Sequence, residues 1–247
     1  IECSKGKLTL TATDLEVQLS CTIDNVNSNE DFITTIPGRK ASEIIRSLGN
    51  KEIEMLVSDS TITIKSSNSS FKLQSLSANE FPLFDAAGAD TTFGAKQQEI
   101  KSLFNKTQFS MAQQDVRFYL NGLLLEVSPN KLVSVGTDGH RLAKSKITIE
   151  KSNINEASYI LPRKAVQEIQ RIINDQGETK ITFSDNRAVF EFGSTTLVTK
   201  LIDGSFPDYT RVIPDDTSIN IVLDVSNIKP ALQRVSILAN EKFNSAF

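Results

Sequence analysis

The chain has 247 residues, 39% of them hydrophobic and 23% charged, with a formal net charge of −3; this is ordinary globular composition at a length for about two domains. No apolar run approaches the roughly 20 residues of a membrane helix, no signal-peptide pattern opens the chain, and Cys3 and Cys21 lack the spacing of a zinc site or a disulfide framework. The cysteines point to a reducing, cytoplasmic setting, and an acidic chain must hold any nucleic acid by local charge or geometry, because bulk charge would repel it.

In chain order, "IECSKGKLTLTATD" reads as strand, turn at Ser4–Lys5–Gly6, and strand. In "TIPGRKASEIIRSL" (35–48), Ala41, Ile44, Ile45 and Leu48 fall on one stripe and predict a short helix. Ser58–Asp59–Ser60 marks a hairpin turn into "STITIKS" (60–66), which alternates as a strand does. "DAAGADTT" (85–92) reads as a domain junction. Ile100, Leu103, Phe104, Thr107 and Met111 predict one helical stripe through 99–112. Asn121–Gly122 carries a hairpin signal. Val166, Ile169, Ile172 and Ile173 predict a second short helix, and Ser184–Asp185–Asn186 turns the chain into "RAVFEF" (187–192). Ile228, Ala231, Leu232, Val235 and Ala239 repeat the earlier helical stripe near the end.

These elements recur as an internal repeat. "KLTLTATDLEV" (7–17) matches "KLVSVGTDGHR" (131–141), "TIPGRKASEIIRSL" matches "ILPRKAVQEIQRII" (160–173), and "ANEFPLF" (78–84) matches "DGSFPDY" (203–209). Three blocks in one order and at one offset indicate duplication. "EIKSLFNKTQFSMA" (99–112) matches "NIKPALQRVSILA" (227–239), which begins a third copy. Carrying the second copy's helix and strand back by the same offset implies that about 32 residues precede Ile1. Each unit reads helix, strands, helix, strands, an α+β class with two helices on a β-rich unit.

His140, in "GTDGHRLAK" (136–144), is the one histidine. A hydrolase or transferase using His140 with Asp138 is one reading, although no G-x-S-x-G nucleophile turn accompanies them. The plain alternative is a histidine on a turn after a strand. The repeat separates the parts: Thr-Asp recurs at Thr13–Asp14, whereas Gly-His-Arg-Leu faces Leu-Glu-Val-Gln. The turn is therefore scaffold, and His140 belongs to a site added to one copy.

Basic residues also recur. Arg39, Lys40 and Arg46 lie on the first short helix, and Arg163, Lys164 and Arg171 on its counterpart. Lys96, Lys101 and Lys106 dot the helix that opens copy two; Lys229 and Arg234 dot its relative. A solvated face accounts for such charges in most helices. Their recurrence in an acidic chain favours sequence-independent, salt-sensitive phosphate contacts.

"FSMAQQDVRFYLNGLLLEV", "TDGHRLA", "ILPRKAV", "LIDGSFPDYTRVIP" and "ILANEKF" together resemble the bacterial sliding clamp family, the β subunit of the replicative DNA polymerase III. The resemblance runs from end to end. It implies repeated clamp domains: 1–91 a first domain without its N-terminal part, 92–216 a complete second, and 217–247 the start of a third. It further implies a non-catalytic homodimer, closed head to tail into a ring around duplex DNA, tethering the replicative polymerase and binding the clamp loader and other clamp-binding proteins, with no cofactor, metal or membrane. A partner-peptide pocket is implied at Leu120, Thr137, Gly139, His140, Arg141, Leu142, Pro207, Arg211 and Val212, completed in the family by a C-terminal tail. DNA contacts are implied at Gln114, Phe118 and Tyr119, beside the basic Arg39, Lys40, Arg46, Arg163 and Lys164; Phe118 stands where the family commonly has a tyrosine. Phe71 and Leu73, in "SSFKLQS", are implied on one side of the dimer interface, and Ile237 and Leu238 on the other. A structural repeat protein without these activities is the remaining alternative.

Overall fold

Short alternating stretches, broken by turns rich in Ser, Asp and Gly, build the molecule from sheets. The computed structural model describes residues 1–49, 51–84, 88–150, 154–214 and 219–237. Two compact units emerge, Ile1–Phe206 and Pro207–Phe247.

In the first unit the chain runs β1 (Glu2–Ser4), β2 (Lys7–Thr13), β3 (Val17–Ile23), β4 (Phe32–Ile33), α1 (Gly38–Leu48), β5 (Glu54–Ser58), β6 (Thr61–Ser66) and β7 (Ser69–Gln74). It continues through β8 (Thr91–Lys96), α2 (Gln97–Asn105), β9 (Gly122–Ser128), β10 (Lys131–Thr137), β11 (Leu142–Thr148), β12 (Ala157–Pro162), α3 (Arg163–Ile172), β13 (Glu178–Phe183), β14 (Arg187–Phe192) and β15 (Thr195–Lys200). Three antiparallel sheets result: β4-β1-β2-β3-β15-β14-β13-β8, β11-β10-β9-β12 and β5-β6-β7. The largest sheet joins the two repeats. β3 of the first copy pairs with β15 of the second, setting Leu19 opposite Leu197 and Cys21 opposite Thr195.

The helical stripes face inward. On α2, Ile100, Leu103 and Phe104 are buried; on α3, Ala165, Val166 and Ile169 are. They share a core with Leu123, Leu125, Phe183, Phe190 and Leu197. Tyr159 stacks on Phe183 at 4.2 Å between ring centroids, an arrangement that adds to the buried area. A smaller core forms around Leu48, Ile62 and Ile64, with Phe71 and Leu73 packed against it. Both α1 and α3 start directly after a proline, Pro37 and Pro162; the ring holds φ near its helical value at the entry.

Two expected elements differ. The helix through 99–112 ends at Asn105, although Thr107 and Met111 are buried as the stripe requires. The Thr107 amide bonds the Phe104 carbonyl, and its hydroxyl donates to the Leu103 carbonyl and meets Ser134, so the chain leaves the helix in a tighter turn. Asn121–Gly122 is not a hairpin turn. It follows a 3₁₀ turn (Phe118–Leu120) and enters β9. Gly122 serves close approach: a Cβ there would lie 2.5 Å from the Leu161 carbonyl oxygen.

The second unit contains a 3₁₀ turn (Tyr209–Val212) and α4 (Val225–Ser236), capped by Asp224 through the Ser226 amide. No residue of α4 is buried. Ile228 and Ala231 are half-buried, Leu232 and Val235 exposed, and Ala239 lies outside the described residues.

Candidate functional site

The Thr-Asp pair builds the same turn in both copies. Asp14 Oδ1 accepts the amides of Glu16 and Val17 at 3.0 and 2.9 Å. Asp138 Oδ1 accepts those of His140 and Arg141 at 2.9 and 3.0 Å. The threonine hydroxyls donate across the turn, Thr13 to the Val17 carbonyl and Thr137 to the Arg141 carbonyl. The residue after each aspartate is left-handed: Leu15 at φ 76° and Gly139 at φ 89°. The second copy fills that position with the residue that adopts it without strain.

This geometry decides the role of Asp138. Its second oxygen accepts from Arg141 Nε at 3.0 Å. Burial would raise its pKa, but the two amides and Arg141 outweigh it and hold the carboxyl below its ordinary value. Asp138 thus bonds the His140 backbone, and its oxygens are committed away from the imidazole. The His140 side chain is exposed and makes no hydrogen bond or ion pair among the described residues. A histidine acting as general base needs an orienting partner; Asp138 is committed to backbone amides and Arg141, and the nearby Asp115 is held by Arg117. Among the described residues no three His, Cys, Asp or Glu side chains are grouped to hold a metal.

His140 and Arg141 line a cleft of about 320 Å³ together with Phe109, Met111, Ala112, Gln113, Asp115, Asp138 and Arg163. Arg117 buttresses it. Its Nε and Nη2 grip Asp115 at 3.0 and 2.8 Å, and Nη2 reaches the Asp138 carbonyl at 3.3 Å. That grip lowers the Asp115 pKa to about 2. Asn121 closes the loop from the other side, accepting the Asp115 amide and donating to its carbonyl. The Arg141 guanidinium lies 5.8 Å over the Phe109 ring. The sequence reading missed Phe109, Asp115 and Arg117; the Asp-x-Arg spacing was the one available signal, and it is common on any surface.

The remaining expected residues distribute as follows. Leu120 is 2% exposed and belongs to the core, Thr137 is buried in the turn, and Leu142 is half-buried at the start of β11. Pro207, Arg211 and Val212 fall in the second unit, where Arg211 Nε pairs with Asp208 at 2.9 Å and Val212 is 69% exposed. Phe71 and Leu73 sit on β7, an edge strand, half-buried against the smaller core. Ile237 is exposed at the end of α4; Leu238 lies outside the described residues.

Among the expected DNA contacts, Arg39, Lys40 and Arg46 are exposed on α1 and have no ion pair among the described residues. Gln114 holds a left-handed φ of 55° on the surface. Phe118 is 56% exposed and meets Tyr119 edge-on at 5.8 Å. Several second-copy cations are otherwise engaged. Lys164 pairs with Asp14 of the first-copy turn. Arg163 is half-buried, and its Nη1 donates to the carbonyls of Met111 and Ala112 at 3.2 and 3.4 Å. Arg171 pairs with Glu168, and Lys101 with Asp175.

Comparison with known proteins gives one answer. The family model described as "DNA polymerase III beta subunit, N-terminal domain" matches residues 1–85, and "DNA polymerase III beta subunit, central domain" matches 95–208. The chain is 38% identical over 239 residues to the beta sliding clamp of Pseudomonas aeruginosa, covering 96% of this chain and 65% of that protein. It is 37% identical over 246 residues to the beta sliding clamp of Escherichia coli K12, covering 98% and 67%. The chain thus spans about two thirds of the length of these relatives. The crystal structure of the P. aeruginosa DNA polymerase III subunit beta matches with a TM-score of 0.94 at 37% identity, over 98% of this chain and 67% of that one.

Proposed function

Because the chain belongs to the beta sliding clamp family, the beta subunit of DNA polymerase III, we propose that it acts as a clamp: a non-catalytic cytoplasmic protein that surrounds duplex DNA and tethers the replicative polymerase, the clamp loader and other proteins bearing a clamp-binding motif. The observation that carries this reading is the likeness, over 98% of this chain, to two thirds of the beta subunit structure. In this reading residues 1–91, 92–216 and 217–247 belong to the first, second and third clamp domains, and two chains join head to tail, with Phe71 and Leu73 facing Ile237 and Leu238.

A clamp holds DNA by topology, so a net charge of −3 is no obstacle. The exposed cations Arg39, Lys40 and Arg46 supply weak phosphate contacts, which allow sliding because they carry no sequence information. Gln114, Phe118 and Tyr119 form a second contact. Partner proteins place a short apolar motif beside Leu142, with Gly139, His140 and Arg141 at the rim and Leu120 and Thr137 buried beneath as support; the expected Pro207, Arg211 and Val212 belong to the second unit. Long cationic stems pack while their heads stay wet. The enzyme alternative, which pairs His140 with Asp138, loses ground to the Asp138 geometry, in which both carboxylate oxygens serve the backbone and Arg141. The test is topological. Protein placed on nicked circular duplex is expected to stay bound through high-salt gel filtration and to leave when one cut linearises the circle; loss from the intact circle contradicts the reading.

A further inference from the structure

Three guanidinium groups surround the cleft beside His140, and they differ in what balances them. Arg117 is neutralised by Asp115, which it grips with two donors. Arg141 is neutralised by Asp138. Arg163 has only main-chain carbonyls as partners, those of Met111 and Ala112, and both bonds come from Nη1. Two carbonyls fix the plane of the guanidinium and carry no countercharge. The other edge, Nε with Nη2, keeps three N–H donors that no group among the described residues takes. That edge is the side-on fork that matches the two oxygens of a carboxylate. Partial burial raises the worth of an ionic partner there. The carboxylates already in the cleft are committed elsewhere, so a complementary anion must come from outside.

We propose that the cleft is an acidic-residue subsite, in which the free Nε–Nη2 edge of Arg163 binds the carboxylate of an aspartate or glutamate flanking a docked apolar motif. This rests on the docking reading above and names what lies next to that motif. It also moves Arg163 from the DNA face, where its place in the repeat puts it, to the partner face. A DNA phosphate would suit the same donors. The shared cleft with His140 and Arg141 favours the peptide, as does the contrast with Lys164, the neighbouring helix cation that stays at the exposed surface.

The test titrates the full chain with fluorescent peptides that carry the apolar docking motif. A glutamate is placed at each flanking position in turn, and each peptide is compared with its glutamine counterpart. The native protein is expected to prefer at least one glutamate peptide by roughly tenfold, the size of one charge-assisted hydrogen-bonded pair. Arg163→Gln is expected to erase that preference, and Arg163→Lys, which keeps the charge, to retain part of it. The native comparison needs no variant, so misfolding of Arg163→Gln cannot blur it. The subsite is overturned, with docking intact, if the native protein binds the peptides without preferring any glutamate. It is equally overturned if Arg163→Gln weakens both peptides alike, or if that variant spares the preference and instead lowers the salt dependence of DNA binding. Failure of every peptide to bind overturns the docking reading itself.

Discussion

Leu15 and Gly139 occupy equivalent positions in two copies of one turn, both left-handed, and the energies at this single residue are unequal. A non-glycine side chain in that conformation costs about 1–2 kcal/mol, whereas glycine loses roughly 0.5–1 kcal/mol more backbone entropy on folding. Leu15 is 54% exposed, so truncation gives up little burial. Leu15→Gly is therefore expected to stabilise the chain by about 0.5–1 kcal/mol, read as a rise in Tm; an unchanged or lower Tm contradicts the account. Asp115 offers a second test at this scale. Arg117 depresses its pKa from 3.8 to about 2, so the ionised pair stabilises the loop above pH 3.8, and that contribution is lost as pH falls through about 2. A carboxyl titration followed by NMR should give a midpoint near 2, and a midpoint near 4 would remove the bidentate pair from solution. Much of this turn was legible in the sequence because Thr-Asp recurs and His140 does not. The commitment of Asp138 to backbone amides was not legible, since sequence proximity is equally compatible with a carboxylate facing the imidazole.

At the scale of elements, apolar periodicity located α1, α2 and α3, and turn residues located the hairpins at Asp59–Ser60 and Asp185–Asn186. It erred where tertiary contact decides. Thr107 and Met111 obey the helical stripe yet are buried after α2 has ended; burial follows the core, and periodicity reports burial. Gly122 mimicked a turn glycine, but its reason is a neighbour on β12, remote in sequence, which no local pattern reveals. Gly122→Ala drives a methyl against the Leu161 carbonyl and is expected to cost about 3 kcal/mol, lowering Tm by roughly 6–12 °C. A change under about 2 °C would mean that β9 and β12 can separate locally. The basic helices make a parallel case. Their cations repeat in sequence, but Lys164 and Arg171 of α3 are held in ion pairs, whereas Arg39, Lys40 and Arg46 of α1 have none among the described residues. Replacing Arg39, Lys40 and Arg46 with glutamine is expected to reduce the slope of log affinity for duplex DNA against log salt by about 0.9 for each phosphate that is no longer neutralised. An unchanged slope would take these residues off the DNA face.

For the whole molecule, the internal repeat implied two copies and the start of a third, with a junction suggested at 85–92, part of which lies outside the described residues. It could not reveal that the copies share a sheet, because β3 and β15 stand in different copies and pairing partners leave no periodic trace. Eight strands from both copies in one sheet should make their unfolding cooperative, so the first unit is expected to melt in a single calorimetric transition, and two separated transitions would contradict a shared sheet. The one-copy residues His140, Arg141 and Leu142 are presented from the separate four-stranded sheet, where β10 turns into β11. That the protein works by holding partners is tested most directly by titrating it with a peptide bearing the apolar docking motif. The account predicts saturable binding of one peptide per chain, weakened about tenfold or more by His140→Ala and by Leu142→Ala. No binding, or binding indifferent to both substitutions, would contradict it.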